Sequence, residues 1–573
     1  MKKFDANILR DFARRPEGAL ASMTLFGLLL PNLILCFTEG MSVFGCLANV
    51  LLPAGLYILL IAGSRNIGRN VLLSFPFMFL GAFQIVLLGL YGHDIIAVDM
   101  FLNVATTNSS EVGELLGNLA GSIAVVCILY LPPLGYAIYL LCTGGRLSKT
   151  ETHAARRGGS IFAVCGVACV LIATASGGKY SPHDDIFPVN ALCNLATAVD
   201  RDMKMKNYAE TSKDFTYGAT PRHNKDEREI YVLVVGETSR AGSWQLAGYK
   251  RQTNPKLWKR QDHIVMYDRA MSESNTTHKS VPLLLSPLKS AAFDSIYSVK
   301  GIISAFREAG FATAYISNQQ RSGGLIDFFG EEADTCLFIK DYPERFSQYA
   351  NDLVMNTPID SAIAGAARKQ LIVVHCYGSH FDYTDRYDES HRKFLPDHAE
   401  GIGASYRQSL VNAYDNTILM TDDFLDRVIR SLEKSGARSA LLYAADHGED
   451  IFDDDRNLFL HASPRPSFYQ LHVPFFAWVS DEYEAAHPDV TRVMRRNRHK
   501  DISTSASYFH TALDIAGIST PEYDGTLSVA SPGFKERPRT YLNDHNLQVN
   551  LNEAGFDPLD FRHMRRQLAI RGK

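Results

Sequence analysis

Residues 230–237, IYVLVVGE, and residues 440–449, ALLYAADHGE, decide how the larger part of the chain is read. Each is a short run of apolar and β-branched residues that stops on a carboxylate, Glu237 in the first and Asp446, followed by His447, in the second. The runs at 312–317 (ATAYIS), 371–378 (LIVVHCYG) and 473–480 (VPFFAWVS) also read as buried strands, and the amphipathic stretches at 299–309 and 408–434 between them read as helices. Continuous apolar strands alternating with helices predict a parallel sheet covered on both faces. Such a sheet gathers its functional groups beyond the carboxyl ends of its strands. An acidic residue on one strand end and an Asp–His pair on another offer oxygen and nitrogen ligands suited to zinc. Each feature alone has an ordinary reading, the glutamate as a helix cap and the Asp–His pair as a salt bridge.

A second stretch, 272–286 (SESNTTHKSVPLLLS), runs from a polar turn straight into an apolar helix. A threonine at that helix N-terminus sits among free backbone N–H groups at the positive end of the dipole, where a phosphate is well held; a plain N-cap threonine is the alternative.

The first third of the 573 residues is different in kind. Mean hydropathy is close to zero, at -0.08, only because a strongly apolar part is averaged with a mixed-charge remainder. Apolar stretches at 20–38, 42–63, 71–92, 118–142 and 158–177 contain no Lys, Arg, Asp or Glu, and each approaches the ~20 residues needed to cross ~30 Å of hydrocarbon. Five in succession fit neither a cleaved signal peptide nor buried core helices. Lys2, Lys3, Arg10, Arg14 and Arg15, then Arg65 and Arg69, then Arg146, Lys149, Arg156 and Arg157 mark the inner side. The connections 39–41 and 93–117 carry no Lys or Arg, and the second holds Asp94, Asp99, Glu111 and Glu114. Five crossings then deliver everything after about residue 178 to the outer side. The domains expected are a membrane part at 1–178 with an outer loop at 93–117, a linker at 179–227, and a soluble α/β domain at 228–573. In the linker, Val189, Leu192, Leu195, Ala196, Val199 and Met203 recur at helical spacing, as an interfacial helix or one packed on the soluble domain.

A net charge of -4 gives no basic face and speaks against nucleic acid. Of the nine cysteines, Cys36, Cys46, Cys127, Cys142, Cys165 and Cys169 lie in or beside the apolar stretches, leaving Cys193, Cys336 and Cys376; this is no disulfide framework, although one pair could form.

The strings at 232–255 (VLVVGETSRAGSWQLAGYKRQTNP), 275–282 (NTTHKSVP), 375–380 (HCYGSH), 412–425 (NAYDNTILMTDDFL), 445–450 (ADHGED), 459–464 (FLHASP) and 472–478 (HVPFFAW) stand in the order found in phosphoethanolamine transferases, and the chain resembles that family. These enzymes decorate lipid A and related surface glycans, include the mobile colistin-resistance enzymes linked to polymyxin resistance, and have a five-helix membrane part joined to a soluble domain of the alkaline phosphatase and sulfatase type. The resemblance extends to 99–115 (DMFLNVATTNSSEVGEL), which is similar to the family's periplasmic loop. It implies an inner-membrane protein, a monomer, with its catalytic domain in the periplasm.

The resemblance also implies roles. Zinc would be held by Glu237, Asp446, His447 and the nucleophile Thr277, with Thr276 the near rival. His380 and His461 match histidines near the transferred phosphate, sometimes linked to additional zinc. Asn103, Thr107 and Glu111, spaced four apart on one helical face, match residues that meet the ethanolamine-bearing substrate. The donor would be phosphatidylethanolamine, the acceptor lipid A or another surface glycan, and a phosphothreonine-type intermediate would form with loss of diacylglycerol. The chain departs from the pattern in two places. A pair of cysteines flanking the threonine stretch is replaced at about Ser274 and at Leu283, and a downstream lysine and serine of the family correspond to Arg321 and Gln320 in 317–324 (SNQQRSGG). The cysteine or serine string that a sulfatase converts to formylglycine is absent. The rival readings are a glycerol-phosphate polymerase of the lipoteichoic acid synthase type and a non-catalytic membrane-anchored binding protein. The basic C-terminal stretch 561–573 (FRHMRRQLAIRGK) is either a headgroup contact or a solvated end.

Overall fold

A computed structural model describes residues 15–92, 94–106, 120–176, 180–346 and 351–569. Its contacts divide the chain into two compact units that part near residue 200, inside the stretch read as a linker.

The first unit is helical: α1 (Pro16–Thr38), α2 (Val43–Ile61), α3 (Ile67–Leu73), α4 (Phe75–Tyr91), α5 (Val98–Thr106), α6 (Ala120–Thr143) and α7 (Lys149–Ala175). Among the described residues, four helices are long and apolar enough to span a membrane, and α3 with α4, bent by 51°, makes the fifth when counted as one span. Their outward side chains are apolar, with Phe37, Ile128 and Val164 at least 70% exposed. That surface suits hydrocarbon and not water. Helices α2 and α7 approach closely because glycines line the contact: a Cβ on Gly55 would lie 2.4 Å from Ala163 N, and one on Gly166 2.5 Å from Leu52 N. The basic residues of the connections also close helix ends. Arg156 donates from Nε to Ala62 O at 2.9 Å and from Nη2 to Gly63 O at 2.6 Å, satisfying carbonyls at the end of α2. Asn32 and Asn49 bond to each other within this unit and to the backbone of Phe187, which ties the segment 181–188 to α1 and α2. The helix expected after it is α8 (Val189–Lys206), and it leaves Leu192, Leu195, Val199 and Met203 exposed. Asn103 falls on α5; its side chain, Thr107 and Glu111 lie outside the described residues.

The second unit is built on one seven-stranded sheet: β1 (Glu229–Gly236), β2 (Ile264–Tyr267), β3 (Ala312–Ser317), β4 (Thr335–Phe338), β5 (Lys369–His375), β6 (Arg438–Ala445) and β7 (Phe475–Val479), in the order β2-β7-β6-β1-β5-β3-β4. Every residue of β1 is buried, because helices cover both faces. Tyr231, Leu233 and Val235 join one core with α9 (Thr277–Leu284), α10 (Ile302–Glu308) and α12 (Thr504–Ile515). Ile230, Val232 and Val234 join the other, under α11 (Arg407–Ser435). The expectation of an all-parallel sheet needs correction: β7 runs antiparallel to β6 and β2 antiparallel to β7, while the other five strands are parallel. An apolar run carries no direction, so 473–480 could not reveal its reversal.

His510 on α12 is buried and accepts the Asp524 N–H at Nδ1, 3.2 Å away, which requires a neutral ring; burial pulls its pKa down to about 4. Between about pH 6.5 and about pH 4 the unfolded histidine binds a proton that the folded one refuses, so stability falls as pH falls, by up to ~1.4 kcal/mol per pH unit. We expect His510→Gln to flatten the fall of apparent Tm over that window. An unchanged pH profile would show that the histidine does not contribute.

Candidate active site

Parallel register assembles the site. Gly236 of β1 lies beside Ala445 of β6, and Val235 beside His375 of β5, so Glu237, Asp446 and Cys376 leave the sheet together at its carboxyl edge. Asp446 N donates to Gly236 O, and Cys376 N to Val235 O, each at 3.0 Å. Glu237, Asp446 and His447 are buried, and their ligand atoms lie within 4.8 Å of one another.

Thr277 opens α9 and faces this cluster. Its Oγ1 is 3.1 Å from His447 Nε2 and 3.3 and 3.5 Å from the two carboxylate oxygens of Glu237. His447 Nε2 stands 3.3 Å from Asp446 Oδ2 and 3.5 Å from Glu237 Oε1. Zinc holds such ligands at ~2.0–2.1 Å in a tetrahedron, which sets them roughly 3.3 Å apart. The arrangement therefore has the dimensions of a ligand shell. Two details agree. Asp446 Oδ2 is buried with no hydrogen-bond partner among the described residues, a costly state unless a cation meets it. His447 Nδ1 donates to Gly448 O at 3.0 Å, which leaves the lone pair on Nε2, and burial lowers the ring's pKa so that it stays neutral. The residues present fit zinc.

The neighbouring Thr276 is turned away. It occupies the N-cap position with extended backbone, and its buried hydroxyl is 3.1 Å from Ser274 Oγ. Hydrogen bonds hold the turn where the resembled family has cysteines. Asn275 donates to Ser463 O at 2.8 Å and to Gln470 Oε1 at 2.6 Å, and accepts from Tyr541 OH at 2.6 Å. Glu273 accepts the hydroxyls of Ser290 and Thr540 at 2.7 and 2.6 Å. We expect Asn275→Ala to lower kcat about 100-fold, since ångström-scale misplacement of a reacting group costs that much, while zinc content stays at the wild-type level. A wild-type kcat in the variant would show that the turn stands without this side chain.

Around Glu237 the backbone is constrained. Thr238 has φ +54°, unusual for a β-branched residue. It is held there by its N–H to Asp446 Oδ1 at 3.1 Å, its hydroxyl to Glu237 Oε1 at 2.7 Å, and its carbonyl accepting from Tyr414 OH at 2.7 Å. Gly378, at φ +52°, passes so close that a Cβ would lie 2.5 Å from Glu237 O. The stretch 412–425 lies on α11 and frames these loops. Tyr414 also accepts Arg240 N at 2.9 Å, Asp415 accepts from Tyr249 and Arg251, Thr417 donates to Ser379 Oγ at 2.6 Å, and Asp422 accepts the backbone N–H groups of Lys256 and Leu257. Sequence alone assigns this stretch no task. Its signal was a set of polar residues on a helix face that is buried.

The ring of His461 lies 4.1 Å from that of His447 and 5.9 Å from that of His380, centre to centre. Burial brings His461 down to about 4 and His380 well below its ordinary pKa, so both rings are neutral. His380 Nδ1 meets Phe381 O at 2.7 Å and His461 Nδ1 meets Glu449 Oε1 at 3.2 Å. Arg321 is not brought to the cluster: it pairs with Glu331 and, at 2.7 Å, with Asp341, and covers the Phe338 ring at 4.1 Å. Gln320 is exposed. Its neighbour Gln319, which the sequence reading passed over, donates to Cys376 O at 2.8 Å and stands 3.5 Å from Glu237 Oε2.

The family model described as Sulfatase matches residues 229–518, half of the chain. Phosphoethanolamine transferase EptC of Escherichia coli K12 is 28% identical over 342 residues, 56% of this chain and 56% of that protein. The chain thus spans little more than half the length of the curated relatives it matches. Among solved structures, the C-terminal periplasmic domain of E. coli EptC in complex with Zn is 26% identical, covering 59% of this chain and 96% of that one, with a TM-score of 0.53. The integral membrane lipooligosaccharide phosphoethanolamine transferase A of Neisseria meningitidis is similar in fold over 89% of this chain and 97% of that one, at 22% identity and a TM-score of 0.69.

Proposed function

Because this chain belongs to the sulfatase family, we propose that it transfers phosphoethanolamine from phosphatidylethanolamine to lipid A or another cell-surface glycan, with Thr277 as the nucleophile. The observation that carries this reading is the Thr277 hydroxyl, partly exposed and 3.1 Å from His447 Nε2, set among three buried metal-ligand side chains. The relatives named phosphoethanolamine transferases support the cargo. The apolar helices and the charge bias of their connections support a multi-pass membrane protein with its catalytic unit on the outer side, and the likeness to the E. coli relatives supports the bacterial inner membrane and periplasm as its place.

Glu237, Asp446, His447 and Thr277 would hold one zinc ion, which would supply a Lewis acid favouring the threonine alkoxide and drawing charge from a phosphoryl oxygen. Thr277 Oγ1 attacks the phosphorus of the donor, the bond from phosphorus to the glycerol oxygen breaks, and diacylglycerol leaves with a proton. His461, whose ring lies 4.1 Å from that of His447, and His380, whose ring lies 5.9 Å from that of His461, are the neutral imidazoles placed to take the Thr277 hydroxyl proton and return it to the glycerol oxygen. An acceptor hydroxyl or phosphate then attacks the phosphoethanolamine-threonine, and Thr277 is restored. Asn103, Thr107 and Glu111 contact the ethanolamine end, with Glu111 a partner for the ammonium. In the stretch 319–321 we assign Gln319, which leans on Glu237, in place of Gln320 and Arg321.

The test is incubation of the purified chain with headgroup-labelled phosphatidylethanolamine, followed by mass spectrometry of the peptide containing Thr277. Phosphoethanolamine on that residue is expected. A glycerol-phosphate adduct formed from phosphatidylglycerol instead would overturn the assignment and favour the polymerase chemistry.

A further inference from the structure

At the opposite end of β1 from the catalytic cluster, three other metal-ligating side chains come together: His223, Glu229 and His487, with ligand atoms all within 4.8 Å of one another. Glu229 begins the strand whose last residue precedes Glu237, so about 25 Å of strand, at ~3.3 Å per residue, separates the two clusters.

The three residues are held in place by different parts of the fold. His223 belongs to the segment leading into β1, and His487 follows the helix Asp481–Ala486 and precedes the helix Pro488–Asn497. Their rings stack at 4.2 Å, tilted by 17°. Gly517, at φ +61°, closes the Nε2 edge of His223, where a Cβ would lie 2.3 Å away, and this directs Nδ1 toward Glu229 Oε1 at 3.0 Å. The other oxygen of Glu229 takes Lys369 Nζ at 2.8 Å, so it is Oε1, facing His223 Nδ1, that is placed to meet a cation. His487 Nε2 is buried with no hydrogen-bond partner among the described residues. An uncompensated buried imidazole nitrogen beside a carboxylate and a second imidazole is a donor set of two nitrogens and one oxygen, which suits zinc with water as a fourth ligand.

We propose that His223, Glu229 and His487 form a second zinc site, a structural clamp that fastens the entry of β1 to the corner between the two helices around residue 487. The nearby cations Lys369 and Arg438 oppose a divalent ion, so this site fills at higher free zinc than the catalytic one. The clamp lies outside the catalytic cluster, and its occupancy is independent of the transfer reaction.

The test uses the full chain in detergent, stripped with a chelator and re-equilibrated with zinc, its metal content measured by plasma mass spectrometry. Wild type is expected to hold one zinc more than each of His223→Gln, Glu229→Gln and His487→Gln. The zinc-induced rise in apparent Tm that remains in Glu237→Gln is expected to disappear when His487→Gln is added. His223→Gln and His487→Gln keep side-chain volume and hydrogen-bonding groups, so circular dichroism matching wild type separates loss of metal from loss of fold; should either variant unfold, Glu229→Gln supplies the comparison. Equal zinc content and an equal Tm rise in wild type and the folded variants would overturn the proposal.

Discussion

Thr277→Ala is expected to lower kcat for headgroup transfer by 10⁴-fold or more, the scale seen when a catalytic nucleophile is removed, and to abolish the adduct while the chain still takes up zinc. The reason is geometric. The Thr277 hydroxyl lies within 3.5 Å of both Glu237 and His447, whereas the hydroxyl of Thr276 is engaged with Ser274. Three protein ligands and a water suffice for a zinc site, so removing the fourth weakens binding without ending it. Thr277→Ser retains the attacking oxygen and is expected to keep measurable turnover. Diacylglycerol release from Thr277→Ala at the wild-type rate, followed with labelled donor, would sink the covalent scheme.

Asp446→Asn is expected to fail in the opposite way, losing zinc first and activity with it, by 10³-fold or more. Asp446 Oδ1 accepts the N–H groups of Thr238 and His447 at 3.1 and 2.7 Å, and Oδ2 faces His447 Nε2. An amide preserves the first oxygen and sets an NH₂ where the second was, pointing donors at a cation. The two carboxylates of the site also become one, and the attraction for a divalent ion falls steeply in a buried setting. Metal content measured beside the rate distinguishes the two variants: Thr277→Ala keeps zinc and does not turn over, Asp446→Asn keeps neither, and raising free zinc restores part of the second only. A zinc-replete Asp446→Asn enzyme with full activity would remove Asp446 from the ligand set.

Long apolar runs made five strands of the sheet legible, and their ends made Glu237, Asp446 and His447 legible as candidates. The strands at 264–267 and 335–338 were not, because four residues are too few to carry a period. The direction of β7 was hidden for a different reason, since direction depends on how the chain returns from Asp446 to Pro474. The choice between Thr276 and Thr277 rested on resemblance; only the phase of α9 separates them physically. Gln319 was missed in favour of Gln320 and Arg321, because adjacent residues leaving a strand point to opposite sides and nothing local says which one meets the site. The polar residues along 412–425 were visible in the sequence, but their scaffolding role was not, because partners such as Ser379 and Lys256 are distant along the chain.

The turn before Thr277 is secured by Asn275 and Glu273 rather than by sulfur, and all nine cysteines are unpaired. That turn contains no cysteine, so a thiol reductant finds nothing in it to cleave and is expected to leave the position of Thr277 unchanged.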